Sequence, residues 1–229
     1  MARIFYTAVG HFRRRSDGHG NIYPVVFVNR QEHLLDPQEM TVWTILNWRL
    51  LDAGQLEEKY LPMARELQLT EYRTFENCLH RLEVRGLISS GTGDTDIDAL
   101  YNLLCGLYIV PVSESLPLRI AAFLKMLFQG VPFSKAKRLF TRVPLSAQEA
   151  QILGLSKQAL LSTAELIKCV DLGVTDLSTD NKIMDALYDD DYTTSDNIVY
   201  AMQSASCSTS VTMAVANLLL SRKIIFERV

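Results

Sequence analysis

No apolar run in this sequence reaches the roughly 18 residues a membrane-spanning helix needs. The start, Met1-Ala2-Arg3-Ile4-Phe5-Tyr6, lacks the long apolar block of a secretory signal. These absences predict a soluble chain that stays in the cytosol and has no membrane partner. Cysteine is scarce: Cys78, Cys105, Cys169 and Cys207 lie far apart with no Cys-x-x-Cys pair, which removes the spacings of a zinc ribbon or a thioredoxin-like redox site. Reduced thiols in packed positions are expected. His11, His19, His33 and His80 never stand three or four residues from another histidine or a cysteine. The run Asp189-Asp190-Asp191 lacks the alternating ligands and central glycine of a calcium loop. Phosphate-loop, dinucleotide and hydrolase-elbow glycine patterns are missing as well. No enzyme, metal or cofactor is therefore expected.

The chain also lacks a strong charge of either sign. Its 229 residues carry a formal net charge of −3, far from the basic balance that announces nucleic-acid binding by composition alone. Distribution says more. Positive charge gathers at Arg13, Arg14 and Arg15, and again at Arg119, Lys125, Lys135, Lys137, Arg138 and Arg142. Aspartates crowd the last part: Asp171, Asp176, Asp180, Asp185, Asp189, Asp190, Asp191 and Asp196. Such a partition gives the molecule a polar field.

With 48% hydrophobic residues, the length suits one large or two small domains, and two is the working count. Ile4 to Val9 and Tyr23 to Val28 alternate like strands and predict a hairpin whose basic tip holds Arg13–Arg15. Asp36-Pro37 starts a helix with Met40, Trp43, Ile45, Leu46 and Leu50 toward the core, ending near Gly54. A second helix over 56–67 should break or kink at Pro62. In a third, Phe75, Leu79 and Leu82 form one apolar stripe. Residues 87–90 read as a strand, 91–96 as a polar loop and 107–112 as a returning strand, while 99–105 fit strand or helix. A breaker-rich linker at 111–117 predicts a boundary between residues 1–112 and a helical remainder, 113–229. That remainder should hold helices over 118–128, 134–142, 146–161 and 164–172. In the last 50 residues or so, helices over 182–188, 194–203 and 208–221 precede a strand at 223–228. There Val211, Val215 and Leu218 repeat the offsets of the third helix.

Met63-Ala64-Arg65-Glu66-Leu67-Gln68-Leu69-Thr70, followed by Phe75, Leu79, Leu82, Gly86, Leu87 and Ile88, resembles the winged helix-turn-helix of bacterial transcription regulators. The resemblance implies a mainly α fold with small β hairpins. Its N-terminal domain would be a winged helix, followed by a helical domain that ends in a second, wingless or truncated unit at about 180–229. It further implies that the third helix, 70–86, reads the major groove of double-stranded DNA, with Thr70, Glu71, Tyr72, Arg73, Thr74, Asn77 and Arg81 at base edges or phosphates. Arg13, Arg14 and Arg15 would grip the backbone. A single reading helix offers little contact area, so a homodimeric regulator is expected. Two features point elsewhere. The third helix is charge-balanced, and Asp94, Asp96 and Asp98 would make an acidic wing that stands off DNA. Winged helices also serve as protein-docking modules and in plasmid replication or maintenance factors; for docking, the acidic stretch 171–196 is the candidate partner surface. Trp48 falls on a different face of the first helix from Trp43 and could line a dimer contact or a small-molecule pocket.

Overall fold

A computed structural model describes residues 2–20, 22–69, 73–112, 144–190 and 192–228, with five further positions between 125 and 133. The helices expected over 118–128 and 134–142 lie outside the described residues, positions 125 and 128 apart. The fold is mixed α/β rather than mainly α, because small antiparallel sheets accompany every helical group. In chain order the strands are β1 (Arg3–Ala8), β2 (His11–Ser16), β3 (Ile22–Val28) and β4 (Gln31–Leu34). Helices α1 (Pro37–Leu46), α2 (Ala53–Glu66) and α3 (Phe75–Val84) follow, then β5 (Ile88–Gly93), α4 (Asp96–Leu104) and β6 (Tyr108–Pro111). The later part holds α5 (Ala147–Ser156), β7 (Leu161–Ser162), α6 (Thr163–Asp171), α7 (Asp180–Tyr188), α8 (Ile198–Ala201), α9 (Ser208–Leu220) and β8 (Ile224–Glu227).

Helix starts follow local chemistry. Asp36, Asp52, Ser146 and Ser162 each close a capping box, with Glu39, Gln55, Glu149 and Glu165 as the returning side chains. Each box satisfies backbone N–H groups that a helix start leaves open. The apolar stripe of α3 is buried as the periodicity predicts: Leu79 and Leu82 enter the core with Cys78, and Phe75 packs against it. Several boundaries differ. Helix α1 stops at Leu46, and Gly54 belongs to the first turn of α2. Pro62 lies inside a continuous α2, where tertiary packing outweighs the missing N–H. The ambiguous stretch 99–105 is largely helical, within α4.

Strand pairing departs further from expectation. Residues 4–9 and 23–28 do not form a hairpin: β1 pairs with β5, and β2, β3 and β4 make a separate sheet in that order. Arg13–Arg15 therefore lie within β2, and the tip is Asp17–Gly20. The hairpin expected between 87–90 and 107–112 is absent too. Ile88–Gly93 pairs with β1, while 108–111 pairs with β7 and β8. The segment between them is a helix, not a wing loop. Thr95 caps it through the Asp98 N–H at 3.2 Å, and Asp96 and Asp98 occupy the first turn, where the helix dipole favours negative charge. Gly91 allows α4 to lie on β5; a Cβ there would come 2.1 Å from the Leu103 backbone nitrogen.

These pairings reveal an internal repeat. In the first half Tyr6 of β1 pairs with Ser90 and with Leu51. In the second, Ile109 of β6 pairs with Phe226 and with Leu161. Leu51 and Leu161 each precede a capping box, at Asp52 and Ser162, and the same step separates these caps from Asp36 and Ser146. Helices α3 and α9 end alike. Gly86 and Arg222 both take left-handed φ, +70° and +60°, and the next N–H reaches back to Leu82 O and to Leu218 O, each at 2.9 Å. Each half is thus a helical trio against a small antiparallel arrangement whose central strand precedes the first helix: β1 lies between β5 and the isolated bridge at Leu51, and β6 between β8 and β7. The second half adds α7 and α8 before its third helix. The segment 180–229 is therefore completed by β6, α5 and α6, which all precede it.

One hydrophobic cluster runs through both halves, from Ala8 to Phe226. Polar clasps join them: the Gly10 N–H donates to Phe226 O at 2.7 Å and Trp48 Nε1 to Ile224 O at 3.1 Å. Arg222 sits over the Trp48 ring at 5.5 Å. Trp48 does leave the Trp43 face, but what it meets is the second half of its own chain.

Candidate nucleic-acid and protein interfaces

Thr70, Glu71 and Tyr72 lie outside the described residues. Arg73, at the entry to α3, donates to Asp36 Oδ2 at 2.6 Å and to Glu39 Oε1 at 3.5 Å. Its carbonyl accepts from Gln38 Nε2 at 3.0 Å. Arg81 Nε meets Glu39 Oε1 at 2.6 Å. Arg85, which the sequence reading assigned no role, meets Glu39 Oε2 at 2.8 Å and donates to Leu34 O at 2.7 Å. Glu39 is only 1% exposed, so three guanidinium groups converge on one buried carboxylate. A buried carboxylate left alone would be very costly, and this geometry neutralises it while tying α1, α3 and β4 together. Burial by itself would raise the Asp36 carboxyl, but the Glu39 N–H and the Arg73 guanidinium outweigh it and hold Asp36 below the usual carboxylate range. Burial beside Asp36 and Glu39 pushes the Cys78 thiol up to about 12.

The remaining α3 candidates divide. Thr74 is the N-cap, its hydroxyl accepting from the Asn77 N–H at 3.3 Å. The Asn77 side chain is exposed. On β2, Arg13 stacks over Phe27 at 4.7 Å and Arg15 at 5.5 Å. Arg15 Nε also donates to Glu32 Oε1 at 2.8 Å. Arg14 is exposed, on the opposite face by strand alternation. In the second basic group Lys125 is exposed; Arg119, Lys135, Lys137, Arg138 and Arg142 lie outside the described residues.

The acidic stretch is built around a residue that the sequence reading passed over. Lys168 is buried on α6 and donates to Leu187 O at 2.6 Å and to Asp190. Asp190 accepts in turn from the Tyr192 N–H at 2.9 Å and from Thr193 Oγ1 at 2.8 Å. The Lys168 ammonium and the Thr193 hydroxyl hold the Asp190 carboxyl far below the usual carboxylate range. Asn197 reinforces the loop by donating to Tyr192 O at 2.6 Å. The loop so fixed carries Tyr192, 85% exposed, and leads to Tyr200, 78% exposed. Asp180, Asp185, Asp189 and Asp196 are exposed on the same stretch. None of these four carboxylates has a cationic partner among the described residues. Asp191 lies outside them.

Among the described residues no group of three or more His, Cys, Asp or Glu side chains is placed to hold a metal ion, and no helix is long and apolar enough to cross a membrane. No family model, curated protein or solved structure matches the chain.

Proposed function

We propose that this chain is a protein-interaction module of two similar helical units that docks a basic protein segment on the stretch 171–200. The observation that carries this reading is the pair of exposed tyrosines, Tyr192 on a loop pinned by Lys168 and Tyr200 on the short helix α8 that follows it, among carboxylates with no cationic partner among the described residues. Tyrosine buries a large amphipathic surface at little entropic cost and is enriched where interfaces hold their energy. Free carboxylates steer and select a Lys/Arg-rich partner. The charges a groove-reading helix would spend on DNA are meanwhile engaged inside the protein, since Arg73, Arg81 and Arg85 all address Glu39.

A second reading keeps the major-groove regulator, a homodimer on double-stranded DNA. The exposed Arg13, Arg14 and Asn77 favour it. One experiment separates the two: fluorescence anisotropy of the purified chain with a labelled Lys/Arg-rich 15-residue peptide and, separately, a labelled 20-bp duplex, each across a salt series. The docking reading expects the peptide to bind and Tyr192→Ala with Tyr200→Ala to weaken it by about 2 kcal/mol or more. Salt-dependent binding to the duplex, with none to the peptide, would transfer the conclusion to the regulator.

A further inference from the structure

A cleft of about 340 Å³ opens between the β2–β3 face and the β6–β8 end of the second half. Arg13, Arg30 and Arg228 line it together with His11, against the single carboxylate of Glu227. That carboxylate is already engaged: Oε1 meets His11 Nδ1 at 3.3 Å, and Oε2 accepts the Asn29 N–H at 3.1 Å. Arg228 is partly satisfied by Ser89 Oγ at 3.2 Å. Arg13 and Arg30 have no carboxylate partner among the described residues, so the cleft holds an excess of positive charge.

A further observation points the same way. Arg30 has φ +60°, directly after Asn29 at +48°. The second central position of so tight a hairpin turn is one that glycine normally fills. An arginine held there is strained, and such strain concentrates at binding sites. Phe27, Val110 and Leu160 supply apolar walls, giving the mixture of apolar lining and few convergent polar groups that small-molecule sites show.

We propose that this cleft binds a phosphate monoester no larger than a mononucleotide, with Arg13 and Arg30 gripping the phosphate and the apolar walls taking its organic body. Guanidinium forks match phosphate oxygens bidentately. This site is independent of the docking stretch at 171–200.

The test is isothermal titration of the full chain at low ionic strength with inorganic phosphate, adenosine monophosphate and adenosine. Both phosphate compounds should bind and adenosine should not, and the monophosphate should exceed inorganic phosphate by what the walls contribute. Arg13→Gln with Arg30→Gln should weaken the monophosphate about tenfold or more, and Arg14→Gln, on the far face of β2, should leave it unchanged. Thermal unfolding of each variant confirms an intact fold, because these side chains are on the surface. The proposal is overturned by adenosine binding as well as its monophosphate, by an undiminished affinity in the double variant, or by no saturable phosphate binding in the millimolar range.

Discussion

Glu39→Gln tests the arginine convergence, and the internal repeat provides its control. The substitution keeps size and shape but removes the charge on which Arg73, Arg81 and Arg85 converge, and it turns an amide NH2 toward at least one donor. Arg73 and Arg85 are largely buried partners, whereas the Arg81 side chain is 56% exposed and its share is screened. Two charge-assisted hydrogen bonds near a buried carboxylate, at about 1.5–3 kcal/mol each, together with the wrong-way donor, give a loss of about 3–5 kcal/mol. At about 2–4 °C per kcal/mol for a chain of this size, the unfolding midpoint should drop by about 6–20 °C. Glu149 occupies the matching place on α5 and closes the same capping box, with Ser146 N–H to Glu149 Oε2 at 2.8 Å, but meets no arginine among the described residues. Glu149→Gln should therefore cost about 1 kcal/mol or less. Calorimetry or circular dichroism of the two variants side by side measures the difference. Equal shifts, or a shift under about 2 °C for Glu39→Gln, would show that the arginines do not depend on that carboxylate.

Two further outcomes follow from titrating groups. Burial pushes the thiols of Cys105 up to about 11 and of Cys78 and Cys169 up to about 12. A thiol-exchange reagent at pH 8 should accordingly react with Cys207 alone in the native protein and with all four cysteines after denaturation; rapid reaction of more than one native thiol would contradict the packing. Asp36 and Asp176 have folded pKa values below the ordinary 3.8, Asp176 at about 2. The stability they contribute is present above that ordinary value and is lost as pH falls through their folded values. Urea midpoints should hold from neutral pH down to about 5 and decline below about 4, and Asp36→Asn should flatten the decline.

Much of the local structure was legible along the chain. Asp36-Pro37-Gln38-Glu39 announces a helix start because a short side chain and a returning glutamate can satisfy open N–H groups within four residues. The Phe75-Leu79-Leu82 stripe announces a buried face because helical period alone brings those positions together. Thr95-Asp96-Ile97-Asp98 carried a similar start signal, hidden by its resemblance to an acidic loop. Strand partners were decided elsewhere. Ile88-Ser89-Ser90-Gly91-Thr92-Gly93 offers ladder groups that would suit many partners, and nothing within it prefers Arg3–Ala8 over Tyr108–Pro111. That choice depends on α4 packing against the two glycines and on β6 being taken by the second half. The site divides in the same way. Sequence placed Arg73 and Arg81 at the start and outer face of α3, where groove contacts would lie, but their partner stands more than 30 residues earlier. Only the approach of α1 to α3 decides that Glu39 takes both, because an ion pair is set by distance in space, which the order of residues along a chain does not contain.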